Sequence, residues 1–316
     1  MAMRKIVNDY RMMLQVCELY YMQDLSQSEI ADVLEISRPT VKKLLTGARE
    51  KGLVKITIST LQGRNYLDLE RRLEQKLGLR EVIVVEYNEN ENQQKNLLAQ
   101  GAAAFLEAIL EDGDEVGVSM GTSLSRMPAY ITSRCENTIF VPLIGGIGEV
   151  DINVHSNNIA EALGKAFCGE SMRLHAPSIV VRAQTKRELL REESIQRVLN
   201  HYGYLDIALL GIGTADERSA IAKTGYFTTH MLEEIKKSGA CGDICMYVYD
   251  QRGDTDQVLS NQGIIGISIP TLKKIPYIIG IAAGEYKANA IMGAVRGGLI
   301  NTLVTDCKCA GKLMEI

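Results

Sequence analysis

The stretch "LSQSEIADVLEISRPTVKKLL", Leu25 to Leu45, sets two short apolar helical patterns almost end to end. Ser26-Gln27-Ser28-Glu29 has the form of a capping box. The Ser26 hydroxyl accepts from the Glu29 N–H, and the Glu29 carboxylate reaches back to the Ser26 N–H. This predicts a helix to about Leu34, with Ile30, Val33 and Leu34 facing inward and Ala31 small enough for close helix contact. A tight turn follows at Glu35-Ile36. Ser37 caps the next helix, and Pro39 sits in its first turn, where a missing N–H costs little. Val41, Leu44 and Leu45 form that helix's apolar face, leaving Arg38, Thr40, Lys42 and Lys43 to look outward. Two helices joined so closely must cross steeply. That is a helix-turn-helix, whose second helix enters the DNA major groove by its N-terminal end.

Working outward, a helix from about Ile6 to Met22 supplies the third side of a small core through Val7, Tyr10, Leu14, Cys17 and Tyr21. After the second helix, "EKGLVKITI" reads as Gly52 ending a helix and an alternating strand beginning, in the manner of a wing. Glu35 stands where a glycine is frequent, so it must enter an unfavourable backbone region at a cost of about 1 kcal/mol. Charge supports a DNA role. The 316-residue chain carries net −4, yet residues 1–58 hold 9 Lys and Arg against 7 Asp and Glu. A basic minority on an acidic chain marks a localised anion-binding face. Ser37, Arg38, Thr40, Lys42 and Lys43 lie at the groove-entering end and are the candidate DNA contacts. One such module offers a small interface, so specific binding implies at least a dimer.

Hydrophobic content of 46 % and charged content of 23 % are ordinary for a globular protein. No apolar run approaches the ~20 residues that span a bilayer, and "MAMRKIVNDYRMML" does not read as a signal peptide. A cytoplasmic location without membrane contact is expected. Seven cysteines at scattered spacing read as reduced thiols rather than a zinc site, and His155, His175, His201 and His230 show no metal spacing.

Beyond Gly63 the pattern changes, giving an expected division into a DNA-binding domain, 1–58, and a larger domain, 59–316. "YLDLERRLEQKLGL" is an amphipathic helix. Short apolar strands then alternate with helical stretches: "EVIVVE" (81–86), "DEVGVSM" (114–120), "TIFVPLI" (138–144), "DIALLGIG" (206–213), "YIIGIAAG" (277–284) and "TLVTD" (302–306). This alternation predicts an α/β domain with a parallel sheet and helices on both faces. Four of the strands end in glycine or small hydroxyl residues. In such sheets ligands bind outside the carboxyl ends of the strands, where helix N-termini present free N–H groups. Gly121-Thr122-Ser123, Gly145-Gly146 and Gly211-Ile212-Gly213 suit an anion, above all phosphate. No GxxxxGK[ST] loop occurs, "GGIGEV" does not complete GxGxxG, and no cofactor is expected.

Lys287, three residues after Gly284 and in the first turn of the following helix, is placed to pair with such a phosphate. Asp243, in "CGDIC" at a strand start, can accept from hydroxyls; Asn157 and Asn158 either meet hydroxyls or cap their helix.

These residues resemble the SorC/DeoR-type sugar-binding transcriptional regulators of bacteria. The resemblance covers nearly the whole chain and rests on "SQSEIADVLEISRPTVKKLL", "GVSMGTSL", "VPLIGG", "LLGIGT", "GDIC" and "AAGEYKANAIMGAVRGG", in the family's order. It implies a winged helix-turn-helix joined to a Rossmann-like α/β effector domain similar to the phosphosugar isomerase and glucosamine-phosphate deaminase fold. It also implies a phosphorylated sugar effector, operator DNA as partner and a homo-oligomer, dimer or tetramer. Gly121, Thr122 and Ser123 match the family's first ligand loop, Gly145 and Gly146 its second, Gly211 and Gly213 its third. Asp243 and Lys287 match acidic and lysine positions that contact ligand in relatives. A relative that captures deoxyribose phosphate through a lysine Schiff base carries that lysine just before the "GG" of the second loop. Here the position is Ile144, so imine capture is not expected.

The leading expectation is therefore a ligand-responsive regulator of carbohydrate genes with no catalytic residues. Ligand favouring the DNA-incompetent state makes an inducible repressor, and the opposite preference an activator. The competing reading is a phosphosugar isomerase or deaminase with an attached DNA-binding head. It needs a general base, for which Asp243, Glu149 and Asp216 are the nearest candidates.

Overall fold

The computed structural model describes residues 10–54, 66–146, 152–215, 239–256 and 259–316, with Ile235 and Lys237. The chain divides into two compact units, Met1–Asn65 and Tyr66–Ile316. The expected boundary at 58/59, the wing strand, Val7, Glu149 and Asp216 all lie outside the described residues.

In the first unit, helices α1 (Tyr10–Tyr21), α2 (Gln27–Val33) and α3 (Arg38–Glu50) close around one core. Both arms of the Ser26–Glu29 capping box form, the Glu29 carboxylate accepting from Ser26 N–H at 2.8 Å. Ser37 caps α3 with Pro39 in its first turn. Ile30, Ala31, Val41, Leu44 and Leu45 are buried. Glu35 has φ +51, the left-handed region expected for the turn. The phase of α1 differs from expectation: Met13, Val16 and Cys17 fill the core, whereas Tyr10 and Leu14 are exposed. Lys51 lies over the Tyr10 ring, covering it with a cation rather than with core. Val33, expected inward, is also exposed, because α2 presents only Ile30 and Ala31 to its neighbours.

The second unit is a seven-stranded parallel sheet in the order β1 (Glu81–Val85), β10 (Thr302–Asp306), β9 (Tyr277–Ile281), β5 (Ile207–Gly211), β2 (Glu115–Val118), β3 (Ile139–Pro142), β4 (Glu170–Ser171). Its strands are apolar on both sides because both faces are covered. One face, with Val116, Val118, Phe140, Leu209 and Ile279, packs under helices α5 (Glu91–Ile109) and α6 (Ser156–Phe167). The other, with Val82, Val84, Val141, Leu210 and Leu303, packs under α4 (Leu67–Leu77), α10 (Ala288–Arg296) and α11 (Cys307–Glu315). The chain runs β2–β3–β4 toward one edge, then returns at β5 and continues through β9 and β10 toward the other. The reversal lies between the neighbours β2 and β5. A small antiparallel sheet of β6 (Gly213–Thr214), β7 (Ala240–Ile244) and β8 (Tyr247–Asp250) stands beyond the end of β5.

At the β1 edge, α4 lies alongside with Leu73 fully buried. Its Glu74 and Glu70 carboxylates accept from the Val82 and Val84 N–H groups at 3.0 and 2.8 Å. Burial raises the Glu70 pKa, Val84 N–H opposes the shift, and the nearby Glu74 and Glu81 add to it. Lys76 donates to the Met314 carbonyl of α11 at 2.8 Å.

Candidate effector and DNA-binding sites

The segments that follow β2, β5 and β9 converge at the reversal point, where open α/β sheets place their ligands. A cavity of about 290 Å³ opens there, lined by Gly121, Thr122, Ser123, Gly211, Gly213, Asp243, Cys245 and Lys287 among others. After Gly121, the N–H groups of Thr122 and Ser123 donate to no acceptor among the described residues. They precede a 3₁₀ turn, Leu124–Tyr130, rather than the α-helix expected, and Pro128 lies inside that turn.

Asp243 sits next to last in β7, not at a strand start, opposite Gly213 of β6. A Cβ on Gly213 would overlap the Asp243 carboxylate, so this glycine of the "GIG" run makes room for the acid. The carboxylate is buried, and its Oδ1 has no hydrogen-bond partner among the described residues. Burial pushes its pKa up to about 7, with Lys287 pulling the other way. The two-residue turn after β7, Cys245-Met246, takes φ of +49° and +67° without glycine. A primed hairpin turn demands such angles, and the strained pair holds Cys245 against the cavity.

Lys287 ends a single 3₁₀ turn that starts at Glu285, immediately before α10. Its Nζ donates to the Ile212 carbonyl at 2.7 Å, spanning from the β9 loop to the β5 loop. Burial lowers its pKa, and Asp243 opposes the shift. Gly284, with φ +96°, turns the chain into this segment. It lines an adjoining cavity of about 400 Å³ that also shares Thr122, Ser123 and Lys287.

Gly145 and Gly146 are not among the lining residues of either cavity. A Cβ on Gly145 would collide with the Ala176 carbonyl, and Gly146 bridges to Pro177. Ile144 is fully buried and offers no amine. Asn157 does not cap α6 and lines neither of these cavities. Its side-chain amide binds the Leu174 backbone in both directions, at 2.8 and 3.1 Å, while His155 occupies the N-cap position. Sequence reasoning missed Glu91, Lys95, Val154 and Tyr286, which also line the main cavity. Lys95 and Glu91 form an i,i+4 ion pair in the first turns of α5, which is the one signal that marks them.

In the first unit, Ser37, Arg38, Lys42 and Lys43 are exposed along the start of α3. Thr40, expected outward, is 7 % exposed and its hydroxyl lies 2.8 Å from that of Ser37. It braces the cap.

Residues 63–315 match the family described as "Putative sugar-binding domain", and residues 15–51 match "Sigma-70, region 4". The chain belongs to the SorC/DeoR-type family of sugar-binding transcriptional regulators. It is 30 % identical to the sorbitol operon regulator of Klebsiella pneumoniae, over 98 % of this chain and 99 % of that protein. Identity to the deoxyribonucleoside regulator of Bacillus subtilis is 31 %, over 96 % of each. The crystal structure of the full-length Klebsiella regulator SorC superposes with a TM-score of 0.76, covering 97 % of this chain and 99 % of that one at 30 % identity. A DeoR family regulator from Listeria monocytogenes gives 0.70, covering 78 % of this chain and 98 % of that one at 28 % identity. A helix-turn-helix region and a larger, mostly parallel α/β domain are thus the family's architecture. These relatives are regulators, not enzymes, which sets aside the isomerase or deaminase reading. Among the described residues no helix is long and apolar enough to cross a membrane.

Proposed function

We propose that this regulator binds operator DNA through α3, as a dimer or tetramer, and takes a phosphorylated sugar in the cavity at the β2–β5 reversal. The observation that carries the effector reading is the composition of one cavity, where Asp243 Oδ1 lacks a partner among the described residues and Lys287 supplies a cation. A sugar phosphate needs both. Its hydroxyls donate to a carboxylate, and its phosphate is held by an ammonium with free backbone N–H groups such as those of Thr122 and Ser123. Gly284 belongs to the same site through its loop, whereas Gly145 and Gly146 support it from behind as packing residues. Arg38, Lys42 and Lys43 supply phosphate and base contacts on DNA, and Ser37 and Thr40 hold the helix end that presents them.

Control of transcription requires the effector to prefer one of two arrangements of the DNA-reading units, since equal affinity for both shifts nothing. The test is thermal unfolding against sugar phosphates and their unphosphorylated parents. A ligand at 100 times its Kd adds about 2.7 kcal/mol to wild type. The shift is expected only with a phosphorylated sugar and is lost in Lys287→Met. A shift with unphosphorylated sugars alone overturns the phosphate assignment. For the DNA arm, Arg38→Ala is expected to weaken operator binding and flatten its salt dependence while the effector shift survives.

A further inference from the structure

Asp306, the last residue of β10, is fully buried and its carboxylate is shared between two structures. Oδ1 caps α11, accepting from the Lys308 and Cys309 N–H groups at 2.9 and 3.0 Å. Oδ2 accepts from Gly284 N–H at 2.5 Å, fixing the start of the loop whose other end is Lys287. The far end of α11 carries the Met314 carbonyl that Lys76 of α4 binds, and Leu73 of α4 packs in one core with Cys309, Ala310 and Leu313 of α11. α4 begins at Leu67, one residue into the second unit.

A carboxylate whose oxygens are divided in this way cannot release one partner without disturbing the other, because both bonds share one rigid planar group. We propose that Asp306 is a positioning residue that ties the Lys287 loop to α11 and, through α11, to α4. A change at Lys287 is then felt at the helix that opens the effector unit. The proposal rests on the reading of the Lys287 loop as an effector contact. It goes beyond that reading in naming the group that carries the loop's state away from the cavity.

The experiment is backbone hydrogen exchange on the full chain, with wild type, Lys287→Met, Asp306→Asn and the double variant. Lys287→Met cuts the tether to Ile212 and perturbs the loop without any ligand. Asp306→Asn can offer its single carbonyl oxygen to α11 or to Gly284, not to both. In the wild-type background Lys287→Met is expected to speed exchange at least threefold in the segments 307–316 and 67–77. In the Asp306→Asn background it is expected to change those segments by less than 1.5-fold, and this non-additivity is the signature of coupling. Equal effects in both backgrounds, or none in wild type, would overturn the relay. Should Asp306→Asn fail to fold, Asp306→Ser keeps a capping oxygen for α11 and loses the reach to Gly284. Inorganic phosphate added to wild type separates the two ideas. Protection of 284–287 is expected, and its absence alongside intact coupling would sink the effector reading and leave the relay standing.

Discussion

Asp243→Asn should make the protein more stable at the pH where it works. The carboxyl is buried, and burial moves its pKa from 3.8 up to about 7. The gap of about three units corresponds to about 4 kcal/mol at 1.36 kcal/mol per unit. The sign follows from which state binds the proton more tightly. Below about pH 4 the carboxyl is protonated in both folded and unfolded chains, and the full stability is present. As pH rises toward 7 the unfolded chain releases its proton more readily, so that contribution drains away and is gone above 7. An asparagine does not titrate and loses nothing over this window. At pH 8 the variant should therefore exceed wild type by up to about 4 kcal/mol, about 8 °C in Tm for a unit the size of Tyr66–Ile316. Near pH 4 the two should melt together. Calorimetry from pH 4 to pH 8 on both proteins reads this directly. A difference that is flat with pH, or that favours wild type at pH 8, would refute the claim that this carboxylate is ionised at a cost. The gain in stability should come with a loss of effector response, since a buried acid held at a cavity costs folding energy and serves binding.

Glu35→Gly should stabilise the first unit by up to about 1 kcal/mol, because φ +51 strains any side chain there, and thermal unfolding of the variant checks it. Leu73→Ala, at a fully buried site between α4 and the sheet, should cost about 2–5 kcal/mol in denaturant unfolding.

The legible parts of this chain are those where local chemistry and tertiary demand agree. Apolar runs such as Ile207–Gly211 read as strands because a sheet covered on both faces needs no polar alternation. The capping box and Ser37 were equally plain, since caps are short-range. Legibility failed where phase or partner decided the outcome. Tyr10 and Leu14 share a helical face with Cys17 closely enough that only packing shows which residues turn inward. β7 was misplaced, with Asp243 read at a strand start rather than near the strand's end, because "ACGDI" is poor in strand formers and its turn, Cys245-Met246, carries neither asparagine nor glycine. Asn157 and Gly145 owe their places to Leu174 and Ala176, partners distant in sequence that no motif announces.

The two glutamates on α4 have a consequence for how copies of this chain can meet. An exposed edge strand normally offers its N–H row to any passing strand, the route by which sheets grow between molecules. Here Val82 and Val84 are already bonded to Glu74 and Glu70, and a carboxylate facing an approaching backbone carbonyl repels it. At the opposite edge β4 is only two residues long, Glu170–Ser171, too short to template a partner. A seven-stranded sheet is thus finished at one side by side chains of its own and at the other by a strand too short to extend, and contacts between copies at these edges are left to side-chain surfaces rather than a shared ladder.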